Sequence, residues 1–346
     1  MTSAPDRVLV MAPNWLGDAV MALPAVQTLR AHFPQASLAV AARPSVAPLF
    51  AMVPGVDAVV SLESRGGVAH VGRWRRDVAR LEAERFDLAV LLPNSFLSAW
   101  VTARARIPQR WGYDTDLRGR WLTAALRRPP PSVHQADYYL ALTTAAGLAP
   151  AARVARVVVP DAARDAAAAL LAPRPREVVV LAPGAAYGRA KQWPPERFAA
   201  LARTLWHTRD LAPVLVGAGG DAAAGVEMRA ALSGLPGGSG AAAALVDLIG
   251  QTDLALLAAV LARARAVVAN DSGTMHLASA VGAPLVAIFG PTNEHQTTPL
   301  PAALDAPPPR LAIHHVWCRP CMLRECPLGH MCMRGVSADD VAALIQ

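Results

Sequence analysis

The sequence predicts an α/β protein built from two doubly wound, parallel sheets. Its 346 residues and 53% hydrophobic content are enough for two domains, each with its own core. Short apolar runs alternate with amphipathic segments, which is typical of parallel strands covered by helices on both faces. The alternation occurs twice, on either side of an alanine-rich stretch that contains Pro160, Pro173 and Pro175. We therefore expect two Rossmann-like domains, 1–158 and 177–346, joined by a linker at 159–176 and facing a central cleft.

The first half of the chain begins the strand–helix alternation. An apolar run at Arg7–Ala12 predicts the first strand, and apolar residues at helical spacing predict a helix over Gly17–His32. Further strands are predicted at Ser37–Ala42, Ala58–Val60 and Asp87–Leu91, with a closing helix at His134–Ala146. The order of the strands within the sheet does not follow from periodicity.

The second half repeats the pattern, starting from the apolar run Glu177–Ala182, which predicts a buried strand. A helix over 195–207 follows, because proline is favoured in the first helical turn and Pro194 and Pro195 lie there. The remaining elements are strands at Pro213–Val216, Ala266–Ala269 and Leu285–Phe289, and helices at 221–232, 253–262 and 273–280.

Positive charge is concentrated in one part of the first half. The net charge of the chain is +7. Residues 65–128 contain thirteen arginines and six acidic residues, so this stretch alone has a net charge of +7. Such a stretch suits nucleic acid, an anionic membrane or a phosphorylated substrate, whereas any single arginine can equally belong to a solvated helix face. The arginines predicted to contact the anionic partner are Arg73, Arg75, Arg76, Arg104, Arg106 and Arg120.

Targeting and membrane-spanning segments are not evident in the sequence. The apolar run near the N-terminus is too short for a signal peptide and leads directly into an amphipathic pattern. The longest apolar stretch, 254–269, is interrupted by Arg263 and Arg265 and does not reach the roughly eighteen residues of a membrane span. We therefore expect a soluble, cytoplasmic protein.

Lys191 is the single lysine in a chain with thirty-two arginines. It lies in a glycine-bearing loop between a predicted strand and a predicted helix, where doubly wound sheets bind phosphates. A compact ammonium serves as a point charge on phosphate oxygens and differs chemically from the planar guanidinium. Composition alone leaves a second explanation open, a surface lysine that escaped a codon bias.

The segment Asn270-Asp-Ser-Gly-Thr-Met-His276 is the most specific local signal of the second half. A buried strand ends there and a helix begins, so the segment offers backbone amides and hydroxyls at a positive helix end that can bind pyrophosphate. We expect Asp271 to cap this helix and His276 to lie within reach of a phosphate or ribose. The alternative is an ordinary helix cap with a packed histidine.

Asp18 occupies the matching place in the first half, at the start of the helix after the first strand. Ligands bind at the carboxyl edge of such sheets, and a carboxylate there can act as a general base. A simple capping role is the alternative.

Together these motifs resemble those of glycosyltransferase family 9, the ADP-heptose:lipopolysaccharide heptosyltransferases, and the resemblance covers nearly the whole chain. The shared segments are Asn14–Asp18, Leu23-Pro-Ala, Leu92–Phe96, Pro183-Gly, Lys191–Pro194, Gly217–Asp221, Asn270–His276 and Phe289–Thr292. Leu92–Phe96 and Ile107–Gly112 are most similar to the heptosyltransferase II branch, which adds the second inner-core heptose. The resemblance implies a GT-B fold, inversion at the anomeric carbon, and a peripheral enzyme at the inner leaflet that uses a lipid A–Kdo–heptose acceptor.

The resemblance also implies roles for individual residues. Asp18 matches the catalytic base, and Lys191 matches the lysine that contacts the donor phosphates. The remaining donor-binding positions are Tyr187 and Thr252 at the nucleotide, Asp221 near an acidic nucleoside contact, and Asp271, Ser272, Gly273, Thr274 and His276 at the helix start. Lys191 and the helix amides can stabilise the departing diphosphate. No Asp-x-Asp pair lies beside the donor loop, so no metal cofactor is expected to be required for catalysis.

All four cysteines, Cys318, Cys321, Cys326 and Cys332, fall in the tail segment 317–333 together with His330. In a cytoplasmic protein such clustering favours metal binding over disulfides, and a structural zinc ion is one candidate. The spacing is not that of a common zinc finger. Reduced thiols packed in a loop, or a redox role, remain alternatives.

Three other functions compete with heptosyltransferase II. One is a family 9 enzyme with another donor or acceptor, including heptosyltransferase I. The second is a sugar-nucleotide epimerase, which can share the shape of two Rossmann-like domains. The third is a nucleic-acid-binding module, suggested by the basic stretch and the cysteines, but it does not need the two complete halves with paired motifs. We therefore expect no nucleic-acid partner.

Overall fold

The computed structural model describes residues 4–63, 70–172 and 176–345. The chain divides into two compact units, Met1–Arg156 and Val157–Gln346. Pro173 and Pro175 of the predicted linker lie outside the described residues. The helix that follows Pro160 lies within the second unit, where it packs against the helix Leu254–Ala262.

The first unit is a six-stranded sheet with every pair of neighbouring strands parallel. Its strands are β1 (Arg7–Met11), β2 (Ser37–Ala42), β3 (Ala58–Ser61), β4 (Leu88–Leu91), β5 (Gln109–Tyr113) and β6 (Ala124–Leu126). Its helices are α1 (Leu16–Met21), α2 (Leu23–His32), α3 (Ala47–Phe50), α4 (Val71–Ala83), α5 (Phe96–Arg104) and α6 (Gln135–Ala145). The strand order is β3-β2-β1-β4-β5-β6, with Val10 of β1 opposite Val40 and Val90.

The second unit repeats this architecture with six parallel strands in the order β12-β11-β10-β7-β8-β9. Its strands are β7 (Val178–Ala182), β8 (Ala212–Leu215), β9 (Val246–Asp247), β10 (Ala266–Asn270), β11 (Leu285–Phe289) and β12 (Arg310–Ile313). Its helices are α7 (Asp161–Leu171), α8 (Pro195–Thr208), α9 (Ala222–Gly234), α10 (Ser239–Ala244), α11 (Leu254–Ala262), α12 (Gly273–Ala280), α13 (Glu294–Thr297), α14 (Met331–Arg334) and α15 (Ala338–Leu344).

Each sheet contains one point where the direction of winding reverses. In the first unit this point lies between β1 and β4, and in the second it lies between β7 and β10. Loops that leave the carboxyl ends of these strand pairs diverge, and ligands of doubly wound folds bind in the crevice between them. Asp18 follows β1, Lys191 follows β7, and Asp271 follows β10.

The predicted helix over 17–32 is two helices, α1 and α2, separated at Ala22. Pro24, in the first turn of α2, has no backbone N–H that could continue the hydrogen bonds of α1. Proline is tolerated at this position because an N–H in the first turn of a helix has no partner within the helix. The periodicity also did not predict α4 or α5, nor strand β5 and the edge strands β6, β9 and β12.

The core of the second unit is built from the two central strands and the helix that follows the lysine loop. Val179 and Leu181 of β7 and Val268 of β10 are fully buried and pack with Trp193 and Phe198. The Trp193 and Phe198 rings meet edge to face with centroids 4.8 Å apart. This packing fixes the chain immediately after Lys191. Within the described residues, no helix is long and apolar enough to cross a membrane.

Candidate active site

Lys191 and Asp271 form the centre of the candidate site in the second unit. The Lys191 Nζ lies 2.6 Å from the Asp271 Oδ2, and the two side chains are only 12% and 5% exposed. The Thr292 Oγ1 donates a hydrogen bond of 2.7 Å to the same carboxylate oxygen. The loops after β7, β10 and β11 therefore converge on one carboxylate at the point where the sheet reverses its winding.

Asn270, the last residue of β10, joins the loop after β7 to this centre. Its side-chain Nδ2 donates to the Pro183 carbonyl at 2.8 Å, and its Oδ1 accepts from the Trp193 amide at 3.1 Å. Asn270 is fully buried, so both bonds replace contacts with water. They fix both ends of the loop that carries Lys191.

The start of α12 is open. Ser272 is the N-terminal cap by its extended backbone, and no side chain caps the helix. The expectation that Asp271 caps this helix is wrong, because its carboxylate instead binds Lys191 and Thr292. Ser272, Gly273 and Thr274 are partly exposed, and the Ser272 Oγ has no hydrogen-bond partner within the described residues. The first turn thus presents donors at the positive end of the helix dipole.

His276, on the same helix, is 3% exposed. Its backbone amide continues the helix by donating to the Ser272 carbonyl. His276 thus lies at the end of the first turn of α12, with its side chain buried.

Tyr187 extends the site along the loop that carries Lys191. Its ring centroid lies 4.7 Å from the Lys191 Nζ, within the range of a cation–π contact. The Arg324 guanidinium lies 5.0 Å from the same ring, and the Tyr187 hydroxyl donates to the Met322 carbonyl at 2.9 Å. Tyr187 is 37% exposed and so presents part of its ring to a ligand.

Asp221 and Thr252 lie further along the same edge of the sheet, on the loops after β8 and β9. The Asp221 Oδ2 accepts from the Ala218 amide at 2.9 Å, and its carboxyl group fits only because Gly184 has no side chain: a Cβ there would lie 2.2 Å away. Burial raises the pKa of Asp221, and the Ala218 hydrogen bond opposes this effect. Asp221, Pro183 and Arg189 line a pocket of about 360 Å³. Thr252 is partly exposed.

Asp18 lies in the first turn of α1, where its side chain is half-buried. Its neighbour is Tyr139 of α6, a helix that packs against α1, and the Tyr139 hydroxyl interacts with the Asp18 carboxylate and with Gln135. Burial, and then the negative charge of Asp18, raise the pKa of Tyr139 well above its usual value. The hydroxyl is therefore protonated at working pH and donates to the carboxylate.

The loop after β4 approaches the same region and is held by Arg118. This arginine is fully buried and donates to the carbonyls of Pro93 and Tyr113 and to the Ser98 hydroxyl. Burial lowers the pKa of Arg118 to about 10, which leaves it charged at neutral pH. Asn94, at the tip of the loop, donates to the Tyr138 hydroxyl at 2.7 Å.

The predicted basic patch does not form one continuous surface feature. Arg73, Arg75 and Arg76 lie on the first turns of α4, near the carboxyl edge of the sheet, and Arg76 pairs with Glu63 at 3.0 Å. Arg104 and Arg106 lie at and after the end of α5, before β5, and hence at the opposite edge. Arg106 pairs with Glu82, Arg104 lies over Trp100, and Arg120 lies over Trp121.

The cysteines are free thiols: Cys332 is buried, and Cys318, Cys321 and Cys326 are partly exposed. In residues 4–63, 70–172 and 176–345, no group of three or more His, Cys, Asp or Glu side chains is arranged to hold a metal ion. A structural zinc ion at these four thiols stays a prediction.

Comparison with known proteins identifies the family. Residues 74–332 match the model of glycosyltransferase family 9 (heptosyltransferase). The chain belongs to glycosyltransferase family 9. Lipopolysaccharide heptosyltransferase 2 of Salmonella typhimurium is 33% identical over 85% of each sequence. Lipooligosaccharide heptosyltransferase 2 of Haemophilus influenzae is 32% identical over 85% of this chain and 86% of its own.

A solved structure of another family 9 member has the same architecture. The ADP-heptose lipopolysaccharide heptosyltransferase II of Escherichia coli is 28% identical to this chain and superimposes with a TM-score of 0.80 over 98% of this chain and 97% of its own. The repeated strand order and this likeness confirm the predicted α/β, GT-B fold class. The predicted family, and with it the prediction of a glycosyltransferase, is confirmed as well.

Three residues of the candidate site were not predicted as site residues. Asn270 and Thr292 stand in the segments Asn270–His276 and Phe289–Thr292, but their hydrogen bonds depend on the adjacency of β7, β10 and β11. Tyr139 had no local signal beyond an aromatic position in a predicted helix. Asp18, Lys191, Asp271 and the start of α12 lie at the two reversal points, as doubly wound sheets require of ligand-binding residues.

Proposed function

We propose that this protein transfers heptose from ADP-heptose to the inner core of lipopolysaccharide with inversion, and that it adds the second heptose. The observation that carries the proposal is the Lys191 ammonium beside the open start of α12, at the reversal point of the second sheet. Membership of glycosyltransferase family 9 and similarity to relatives named heptosyltransferase 2 support the choice of reaction and acceptor.

In this proposal the second unit binds the donor. The amides of Ser272, Gly273 and Thr274 and the Ser272 hydroxyl accommodate the diphosphate, and Lys191 adds a full positive charge. As the bond from the anomeric carbon to the diphosphate oxygen breaks, negative charge grows on ADP. A preorganised donor at such a position typically lowers the barrier by about 3–4 kcal/mol. Asp271 and Thr292 hold the ammonium in place before the donor arrives.

The first unit supplies the base. The acceptor hydroxyl oxygen forms a bond to the anomeric carbon while its proton moves to the Asp18 carboxylate. Attack on the face opposite to the departing diphosphate inverts that carbon. Tyr139 donates to Asp18 and keeps the carboxylate in its charged form, which is the form that accepts a proton.

An open pocket in the first unit suits an anionic acceptor sugar. Its volume is about 990 Å³, and its lining includes Arg127, Arg128, Gln135 and Tyr138. Gln135 also bonds the Tyr139 hydroxyl, so the pocket adjoins the Asp18 region. Two guanidinium groups with neighbouring amide and hydroxyl groups match the carboxylates and phosphates of an inner core.

We further propose that the enzyme works in the cytoplasm as a peripheral protein on the inner leaflet, where its lipid-linked acceptor lies. Arg73, Arg75 and Arg76 offer positive charge to anionic head groups or to the acceptor itself. No nucleic-acid partner is part of this proposal. Catalysis needs no metal cofactor, because the ammonium and the helix start carry out the charge stabilisation.

A donor and acceptor panel tests the function. Purified protein is incubated with ADP-heptose, ADP-glucose or UDP-glucose, and with Kdo–lipid A carrying either no heptose or one heptose, while nucleotide release and product mass are measured. We expect ADP release and a single added heptose only with ADP-heptose and the monoheptosylated acceptor. The Asp18→Asn protein is the matched control and should release no ADP above background.

Other outcomes of the panel separate the alternatives. Transfer to the acceptor without heptose indicates heptosyltransferase I activity, and release from another sugar nucleotide indicates a different family 9 reaction. Conversion of the sugar nucleotide without transfer indicates an epimerase. Each of these results contradicts the proposed function.

A further inference from the structure

The cysteine-rich segment, Trp317–Met333 (the strap), packs against the loop that carries Lys191. The Tyr187 hydroxyl donates to the Met322 carbonyl at 2.9 Å, although the two residues are 135 positions apart. The Ala190 amide donates to the Arg324 carbonyl at 3.0 Å. Both acceptors are backbone atoms of the strap. The path of the strap therefore sets the place of the lysine loop.

The strap is also attached to the loop after β11. The Arg319 Nε donates to the Gly290 carbonyl at 2.6 Å, and its Nη2 lies 2.8 Å from the Glu294 Oε2 and 3.2 Å from the Thr292 carbonyl. The Arg319 side chain is only 6% exposed. The Met322 amide adds a hydrogen bond of 2.9 Å to the Pro291 carbonyl. The planar guanidinium group has several N–H donors in a fixed arrangement, so one arginine can bind several acceptors at once.

Two glycines allow the strap to approach both loops closely. A Cβ on Gly188 would lie 2.5 Å from the Arg324 carbonyl oxygen and 3.0 Å from its Cα, which are backbone atoms that cannot move aside independently. A Cβ on Gly290 would lie 2.2 Å from the Met333 Sδ. These contacts leave no space for a side chain between the strap and the loops.

The thiols take part in the shape of the strap itself. The Cys326 Sγ accepts hydrogen bonds from the amides of Leu328 and His330, at 3.4 and 3.3 Å. These bonds close the turn that follows Pro327. Cys332 lies buried beyond the turn, and its pKa is raised by burial and then by the neighbouring thiols. Cys326 and Cys332 thus contribute as a turn acceptor and a core residue.

We infer that the strap positions the donor site: it holds Lys191 against the Asp271 carboxylate and Tyr187 beside Lys191, and thereby sets donor affinity. The lysine loop and the loop after β11 each send one side chain, Lys191 and Thr292, to Asp271, and the strap ties these two loops together. This inference rests on the proposed donor site. It gives the cysteine-rich segment a role in donor binding that needs no contact between a thiol and the substrate.

The first test removes the anchor of the strap without touching the donor loop. Arg319→Gln is compared with Arg319→Lys and with Glu325→Gln, which changes an exposed strap residue. Arg319→Gln removes the guanidinium contacts with Gly290, Thr292 and Glu294. We expect it to raise the ADP dissociation constant and the donor KM about tenfold, with the acceptor KM unchanged. Both constants of Arg319→Lys should lie between those of the parent and those of Arg319→Gln. Both constants of Glu325→Gln should equal those of the parent.

Amide hydrogen exchange distinguishes positioning of the lysine loop from a general effect of Arg319 on protein stability. The Ala190 amide should exchange faster in Arg319→Gln at a temperature where the protein remains folded. Should Arg319→Gln fail to fold, Gly188→Ala serves instead, because its Cβ displaces the strap backbone from the lysine loop. The same selective rise in donor KM is expected.

Lys191→Met separates failure of this inference from failure of the proposed function. If Lys191→Met keeps the parental donor constants, the proposed donor site is wrong. If it loses donor binding while folded Arg319→Gln or Gly188→Ala binds ADP like the parent, the positioning role of the strap is refuted and the donor site stands.

Discussion

Replacing Tyr139 by phenylalanine removes one hydrogen bond to the proposed base and little else. The ring is 4% exposed and keeps its packing, whereas the hydroxyl that donates to Asp18 is lost. A donated hydrogen bond favours the charged carboxylate, so its removal favours the protonated form. Because the base must be unprotonated to act, the acid limb of the pH–rate profile should move to higher pH.

The size of this shift follows from the strength of the bond. A hydrogen bond to a charged group contributes about 1.5–3 kcal/mol, and about 1.4 kcal/mol corresponds to one pH unit. Asp18 is only half-buried, so water replaces part of the lost interaction. We therefore expect a displacement of about one pH unit, with nearly parental turnover well above the limb.

The assay is initial-rate ADP release at saturating donor and acceptor, measured from acidic to mildly alkaline pH. Tyr113→Phe is the matched control, because this tyrosine is also buried but donates to the Tyr138 carbonyl. Its acid limb should coincide with that of the parent. If the acid limb of Tyr139→Phe coincides with that of the parent, or shifts equally in both variants, the hydroxyl of Tyr139 does not set the pH dependence of the base.

Four further outcomes are expected. Asp18→Asn should abolish transfer while ADP-heptose affinity stays within a few-fold of the parent, as checked by calorimetry; full activity would exclude Asp18 as the base. Lys191→Arg should lose about a hundredfold in kcat despite its charge, because the wider, planar guanidinium does not reproduce the 2.6 Å contact with Asp271; parental turnover contradicts this. Transfer should survive treatment with EDTA, and activity that returns only with magnesium or manganese would contradict catalysis without a metal. Replacing Arg73, Arg75 and Arg76 by glutamine should raise the acceptor KM and not the donor KM, and added salt should mimic it, since exposed charges are screened over about 8 Å at physiological ionic strength; unchanged constants would mark these arginines as a solvated face.

The central strands could be predicted from the sequence because burial on both faces leaves a continuous apolar run. Val178–Ala182 and Leu285–Phe289 are entirely buried, and their continuous apolar runs predict both strands. Strand β5, Gln109–Tyr113, begins with polar, half-exposed residues and lacks that signal. The helix Val71–Ala83 stands out in the sequence only by its charge, because its arginines obscure the narrow apolar face formed by residues such as Leu81.

Candidate residues could be predicted one at a time, but not their pairing. Lys191 and Asp271 each stood out at a strand end, yet their contact spans 80 residues and depends on β7 and β10 being neighbours. Strand order is a property of the whole sheet and leaves no local pattern. The contact of Tyr139 with Asp18 likewise requires α6 to pack against α1, which side-chain spacing within either helix does not encode.

The strap also has a consequence for the order in which the molecule matures during synthesis. A ribosome releases the chain from its N-terminus, and domains fold as they emerge. The first unit can complete its sheet before any part of the second is made. The loop that carries Lys191 cannot acquire its contacts with Met322 and Arg324 until about 130 more residues have appeared. The nascent protein therefore holds a finished first unit, with Asp18 and Tyr139 in place, long before it has a finished donor site.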